Sequence, residues 1–204
     1  DQAREGFVAA LADKGLVEGE NLTIDYQNGN GDPNNLNTIA EQFVSENEDL
    51  VLAIATTAAQ TMAAKTDTIP IIGTAITSYT EAGLMEDENA PGGNVTGTTD
   101  MNPVEDQMEL IFEICPDVKT VGFLYCNSED NSRLQVEIAK EWLDENNIAY
   151  VERTVANTND VQQAVSSIVG ECDAIYIPTD NVFASTMPTV YEVATPAVIP
   201  VFCG

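Results

Sequence analysis

The chain has 204 residues, enough for one large domain or two small ones with a real apolar core. It carries 34 acidic and 7 basic residues, a formal net charge of -27, and no histidine. Such a charge repels phosphates, so it excludes nucleic-acid binding and disfavours anionic membranes; the missing histidine removes Ser-His-Asp and Cys-His catalysis and every His-ligated metal site.

The elements alternate along the chain. Residues 2–14 put Ala3, Phe7, Ala10 and Leu11 on one helical face, with Gly15 as a C-cap. Residues 22–26 (LTIDY) alternate apolar and polar, which predicts a half-buried strand. A turn-rich loop (NGNGDPNN) leads to a helix capped by Asn34 or Asn35 and carrying Leu36, Ile39, Ala40 and Phe43. The run LVLAI at 50–54 has the length and continuity of a strand covered on both faces. A small-residue helix at 57–65 and a strand at 69–72 follow, then an irregular stretch at 78–94 rich in Gly, Pro and acids. Pro103 suits the first turn of a helix at 103–115. Beyond it come strand 119–125, helix 131–146, strand 148–153, helix 158–169, strand 173–177, helix 181–194 and strand 199–203. Two β-α series therefore flank residues 96–102. They predict two doubly wound parallel-sheet α/β lobes, residues 1–97 and 98–204. The opening helix lacks a preceding strand and the closing strand lacks a following helix, so we expect a truncation at both ends.

Cys115, Cys126, Cys172 and Cys203 include no CxxC pair, which argues against a zinc ribbon or a thioredoxin-type site; their pairing stays open. No apolar run has the length of a membrane span. No cofactor or metal is implied.

Ligands of open α/β sheets bind beyond the carboxyl ends of the strands. After LVLAI, Thr56, Thr57 and Ala58 open a helix whose N–H groups and hydroxyls suit a carboxylate; simple capping by Thr56 or Thr57 explains them equally. The exit after IPII holds Thr77, Ser78 and Tyr79. The exit after VGFLY is polar from Asn127 to Ser132, more than capping by Ser128 or Asn131 requires. Asp180 either caps helix 181–194 or accepts a ligand cation. Tyr79, Tyr125 and Phe183 are candidates to stack on an aromatic ligand, with core packing the expected role of at least one, whereas Glu129 reads as a solvated loop carboxylate. No GxSxG, GxGxxG or P-loop is present, and no Lys or Arg stands at a strand exit. The exits offer recognition groups, not a nucleophile with its base.

The stretches REGFVAALADKGLVEGENLTIDYQN, LVLAIATTAAQ, NVTGTTDMNPVEDQMELI, TVGFLYCNSEDNS, QVEIAKEWLDE and DAIYIPTDN run through nearly the whole chain. In order and spacing they resemble the substrate-binding proteins of bacterial ABC importers with the type I periplasmic-binding-protein fold, in the branch linked to tryptophan and other aromatic amino acids. That resemblance implies two lobes with a ligand cleft between them, and export as a periplasmic or lipid-anchored protein. It implies a permease and an ATPase as partners. By position it implies ligand contacts from Thr56, Thr57, Ala58, Thr77 and Ser78 in one lobe. Tyr125, Asn127, Ser128, Asn131, Asp180 and Asn181 face the ligand from the other. Ser78 departs from an Asp common in the family, and Cys126 from a small polar residue. The expected function is delivery of an aromatic or apolar α-amino acid; a ligand-sensing domain of a regulator or receptor with the same fold is the alternative.

Overall fold

A computed structural model describes residues 2–204. The chain divides into two compact units, the first ending at Asp100 and the second running Met101–Gly204. The first contains α1 (Gln2–Asp13), α2 (Pro33–Glu46), β1 (Val51–Ile54), α3 (Thr56–Ala63), β2 (Ile71–Ile76) and β3 (Val95–Thr99). The second contains α4 (Val104–Ile114), β4 (Thr120–Cys126), α5 (Asp130–Glu145), β5 (Ala149–Val155), α6 (Val161–Ile168) after one 3-10 turn, β6 (Ala174–Ile177), α7 (Asn181–Ala197) and β7 (Val201–Cys203).

In the first unit β1, β2 and β3 form a parallel sheet in that order. Its core gathers Val51, Ala53, Ile71, Ile76 and Val95 from the strands with Ala59 and Met62 of α3. The expected strand at 22–26 does not form: only an isolated bridge joins Leu22 to Glu18, and no described strand lies beside 23–26 to complete a ladder. Alternation alone does not make a strand without a hydrogen-bonding partner. Conversely, β3 is a strand that apolar patterning does not announce, because only Val95 of VTGTT is buried. Its place depends on Gly97. A Cβ there would collide with the Gly73 carbonyl and the Tyr79 hydroxyl. The cap of α2 is Asp32, whose carboxylate accepts from Asn34 N at 2.7 Å and Asn35 N at 3.3 Å, with Pro33 at the first helical position. Asn34 and Asn35 lie inside the first turn, two and three residues past the cap, and donate to it instead.

In the second unit the parallel order is β5-β4-β6-β7. Period-two alternation sends β4 and β6 side chains to opposite faces. Val121, Phe123, Tyr125, Ala174 and Tyr176 pack with α4 and α5; Leu124, Cys126, Ile175 and Ile177 pack with α6 and α7. This is a doubly wound layer arrangement. Within α7, Thr186 leaves helical geometry (φ -120°, ψ 15°) two residues before Pro188. The proline ring excludes a straight helix there. No described helix is long and apolar enough to cross a membrane.

Candidate functional site

The exits of the first sheet are adjacent by construction. Ala55 donates its N–H to the Thr74 carbonyl at 3.0 Å, and Asp100 donates to Ile76 at 3.1 Å, so the chain leaves β1, β2 and β3 side by side. Thr56, Thr57 and Ala58 form the first turn of α3, and Thr77 and Ser78 lie past β2. Neither threonine caps the helix. The cap position is Ala55, which has no side-chain cap and sits at φ 80°, ψ 153°, a conformation that favours glycine. Ala75, near the end of β2, also has positive φ, at 54°. Ala55 at the cap position leaves the first turn of α3 without a side-chain acceptor. Ser78 accepts from Glu81 N at 3.2 Å and pairs with Thr80 at 3.1 Å; the Thr77 carbonyl accepts from Thr99 at 2.7 Å.

The second unit brings the β4 and β6 exits together through two carboxylates. Asp180 caps α7, its Oδ1 accepting from Phe183 N at 2.9 Å. Its Oδ2 reaches the other exit and accepts from Cys126 N at 2.6 Å and Ser132 Oγ at 2.8 Å. Glu129 does the reverse. It stands before α5 but does not cap it; it accepts instead from Asn181 N at 3.1 Å, Asn181 Nδ2 at 2.8 Å and Val182 N at 3.3 Å. Both carboxylates are buried, Asp180 to 4% exposure and Glu129 to 6%. The solvated-loop expectation for Glu129 is therefore overturned: Val182 and the first turn of α7 supply donors that only a buried acceptor satisfies. Burial, and then the negative charge of Asp180, hold the Glu129 carboxyl above its ordinary pKa, against the opposing bonds from Asn181 and Asn131.

Asn131 belongs to the same knot. Its Nδ2 donates to the Thr179 carbonyl at 2.7 Å and to Glu129 at 3.4 Å, while its buried Oδ1 has no partner. Neither Ser128 nor Asn131 caps α5. Asn127, Ser128 and Asn181 are exposed at the exits, Ser128 Oγ lying 3.2 Å from Cys126 Sγ. Thr179 is held by Gln135 Oε1, which accepts from its N–H at 3.1 Å and its hydroxyl at 3.2 Å, and Asn102 donates to Thr179 Oγ1 at 2.7 Å.

All three aromatic candidates for stacking lie in the cores. Tyr79 is buried against Gly73 and Gly97 and donates its hydroxyl to the Thr98 carbonyl at 3.2 Å. Phe183 lies in the α6–α7 core. Tyr125 packs with Phe123 and Tyr176, and its hydroxyl donates at 3.0 Å to Glu152, which Lys140 also binds at 2.8 Å. All three are consumed by packing, since a large ring on the buried side of a strand end fills its own core before it can meet a ligand. Tyr125 is thus brought to the Lys140–Glu152 pair and not to the polar exits.

Sequence reasoning missed Glu129, Ser132 and Gln135. The buried face of α5 runs Asn131, Ser132, Gln135, Val136, Ala139 and Leu143. Polar residues that continue an apolar stripe toward a helix start were the available signal, because a buried polar side chain requires a partner.

The whole of residues 1–204 matches the family model described as ABC transporter substrate binding protein. A tyrosine-binding protein of Clostridioides difficile is 42% identical over 204 residues, covering 100% of this chain and 59% of its own length. Two solved structures superpose closely over 98% of this chain and 68% of theirs. One is an ABC domain in complex with L-Trp from Streptococcus pneumoniae, with 38% identity and a TM-score of 0.94. The other is a conserved domain protein of Vibrio cholerae, with 40% identity and a TM-score of 0.95. The chain spans 59% of the length of its tyrosine-binding relative. With its two parallel-sheet units and polar strand exits, the chain belongs to the ABC transporter substrate-binding proteins of the type I periplasmic-binding-protein fold.

Proposed function

We propose that this protein is the extracytoplasmic solute-binding component of an ABC importer, periplasmic or lipid-anchored, and that its solute is an aromatic or apolar α-amino acid handed to a permease driven by an ATPase. The observation that carries the reading is the β4–β6 exit of the second unit. Two buried carboxylates meet there, and among the described residues they bond to neutral donors and to no basic side chain. A negative site of this kind rejects phosphates and sugar acids and accepts an ammonium.

A carboxylate has about four acceptor positions. Asp180 uses three, which leaves one on Oδ1 for a ligand N–H. In the first unit the uncapped turn Thr56–Thr57–Ala58 has donors of the kind a carboxylate takes, with Thr77 and Ser78 at the next exit. Asn127, Ser128, Asn131 and Asn181 supply neutral polar contacts. Preference for an aromatic side chain draws on the tyrosine-binding relative and on the neighbour in complex with L-Trp. Tyr79, Tyr125 and Phe183 are buried in their own cores and are assigned no stacking role. The hydroxyls, amides and carboxylates at the exits are recognition groups, which supports a binding role.

The test is calorimetric titration of the full-length gene product with L-tyrosine and L-tryptophan, comparing wild type with Asp180→Asn. Losing one member of a buried charge contact costs roughly 2–5 kcal/mol of binding. Undiminished binding in Asp180→Asn removes the ammonium assignment.

A further inference from the structure

We propose that Glu129 is a positioning residue for the solute: it ties the loop after β4 to the first turn of α7 and so holds the polar groups of both exits in register for an ammonium-bearing ligand. The proposal rests on the amino-acid reading above.

The geometry is an exchange of carboxylates between two loops. Glu129 from the β4 exit accepts from the backbone of Asn181 and Val182 at 3.1 and 3.3 Å and from Asn181 Nδ2 at 2.8 Å. Asp180 from the β6 exit accepts from Cys126 N at 2.6 Å and Ser132 Oγ at 2.8 Å. Each loop thereby supplies the acceptor that the other loop's donors require. The Glu129 side chain has no cap bond to the backbone of its own helix; beyond the 3.4 Å contact from Asn131 Nδ2, its bonds go to α7.

The charges around this tie are all of one sign or already paired. In α7 no charged residue precedes Glu192, and α6 carries none. In α5 the nearby charges are Asp130 and Arg133, which pair with each other at 2.6 Å. From β4 the titratable group is the Cys126 thiol, pushed up chiefly by burial and also by Asp180 and Glu129. Two carboxylates buried without a counter-charge lose part of their hydration and repel each other. A ligand ammonium supplies the missing positive charge. An open acceptor also lies within the knot: the buried Oδ1 of Asn131 has no partner, while Nδ2 of the same amide is 3.4 Å from Glu129. An ammonium has three donors to distribute among such acceptors.

The proposal makes affinity depend on the protonation of Glu129. Ligand binding favours the ionised carboxylate, so affinity is full above the raised pKa of the free protein and falls as pH drops through it. The experiment titrates the full-length gene product, as wild type, Glu129→Ala and Glu129→Gln, with L-tyrosine and L-tryptophan from neutral pH down through the ordinary carboxylate range. Glu129→Ala is expected to weaken binding about 10- to 100-fold, the scale of losing hydrogen bonds to a charged group. Glu129→Gln keeps the size and one acceptor; it is expected to fold like wild type, bind with intermediate affinity and show no drop in affinity at acid pH. A merely structural role would lower the melting temperature and leave the pH profile of affinity unchanged. Glu129→Gln with wild-type affinity and a wild-type pH profile overturns the proposal. If wild type binds no amino acid, the functional reading fails instead. The tie is then decided by amide hydrogen exchange in the ligand-free protein, where Asn181 and Val182 exchanging equally fast in wild type and Glu129→Ala overturns it.

Discussion

Replacing Asp180 with alanine removes one carboxylate and three bonds, to Cys126 N, Ser132 Oγ and Phe183 N. Ser132 keeps a second acceptor, the Thr179 carbonyl at 3.2 Å, so its hydroxyl is not stranded. The two backbone N–H groups are. Each buried donor left without a partner costs about 1–3 kcal/mol, and the lost N-cap is contained in the Phe183 share. Relief of the repulsion with Glu129 offsets part of this. The net expectation is a loss of roughly 2–5 kcal/mol in the second unit. Asparagine retains one acceptor oxygen, which can serve either N–H but not both, so its expected loss is about half as large. The assay is urea unfolding followed by tryptophan fluorescence. The chain has one tryptophan, Trp142, which lies in α5 of the second unit and stacks on Phe112 at 5.7 Å, so its signal reports that unit alone. A loss below about 1 kcal/mol for alanine, or equal losses for alanine and asparagine, would refute the accounting by stranded donors.

The other predictions concern Glu129, the thiols and Gly97. Because burial and Asp180 raise the Glu129 pKa above 4.5, the folded protein binds a proton there that the unfolded chain has released. This contribution to stability is present below the unfolded value and disappears as pH rises through the folded one. The stability difference between wild type and Glu129→Gln, read from Trp142 fluorescence across that window, should therefore shift against wild type as pH rises; a constant difference would contradict it. All four cysteines are free thiols. Cys203 is exposed, whereas Cys172 is buried with its thiol pushed up to about 11 by burial and then by Asp173 and Glu171, so a maleimide should label Cys203 well before Cys172, and the reverse order in a peptide map would count against the structure. Gly97→Ala forces a methyl group into the Gly73 backbone and the Tyr79 hydroxyl, and should cost the first unit about 1–3 kcal/mol or more in chemical unfolding. Tyr79→Phe should not rescue it, because the Gly73 carbonyl stays in place; full rescue would show that the backbone approach is not limiting.

Legibility in the sequence followed the source of each signal. The helices and β1, β2 and β4 to β7 were readable because periodic apolar runs fix them locally. β3 was not, because glycine and threonine enter the sheet only where Gly73 and Tyr79 already lie opposite. Residues 22–26 failed in the other direction, with a strand-like pattern and no neighbour to bond. The strand exits were legible from topology alone, since parallel sheets gather their carboxyl ends at one edge. The division of labour within them was not. Asp180 was readable as a cap or an acceptor, yet its bond to Cys126 joins residues 54 positions apart and leaves no local trace. Glu129 looked like any acid in an acidic loop, and only the first turn of α7 shows why it is buried.

The claim that most needs testing is that this protein binds an α-amino acid. Isothermal titration of the full-length gene product against the amino acids, with a neutral sugar and a nucleoside as controls, addresses it directly. The account predicts saturable binding of an aromatic or apolar amino acid, abolished when the α-amino group is acetylated, because acetylation removes the cation that the Asp180–Glu129 site requires. Binding of the sugar or the nucleoside alone, or equal binding of the free and the acetylated amino acid, would contradict it.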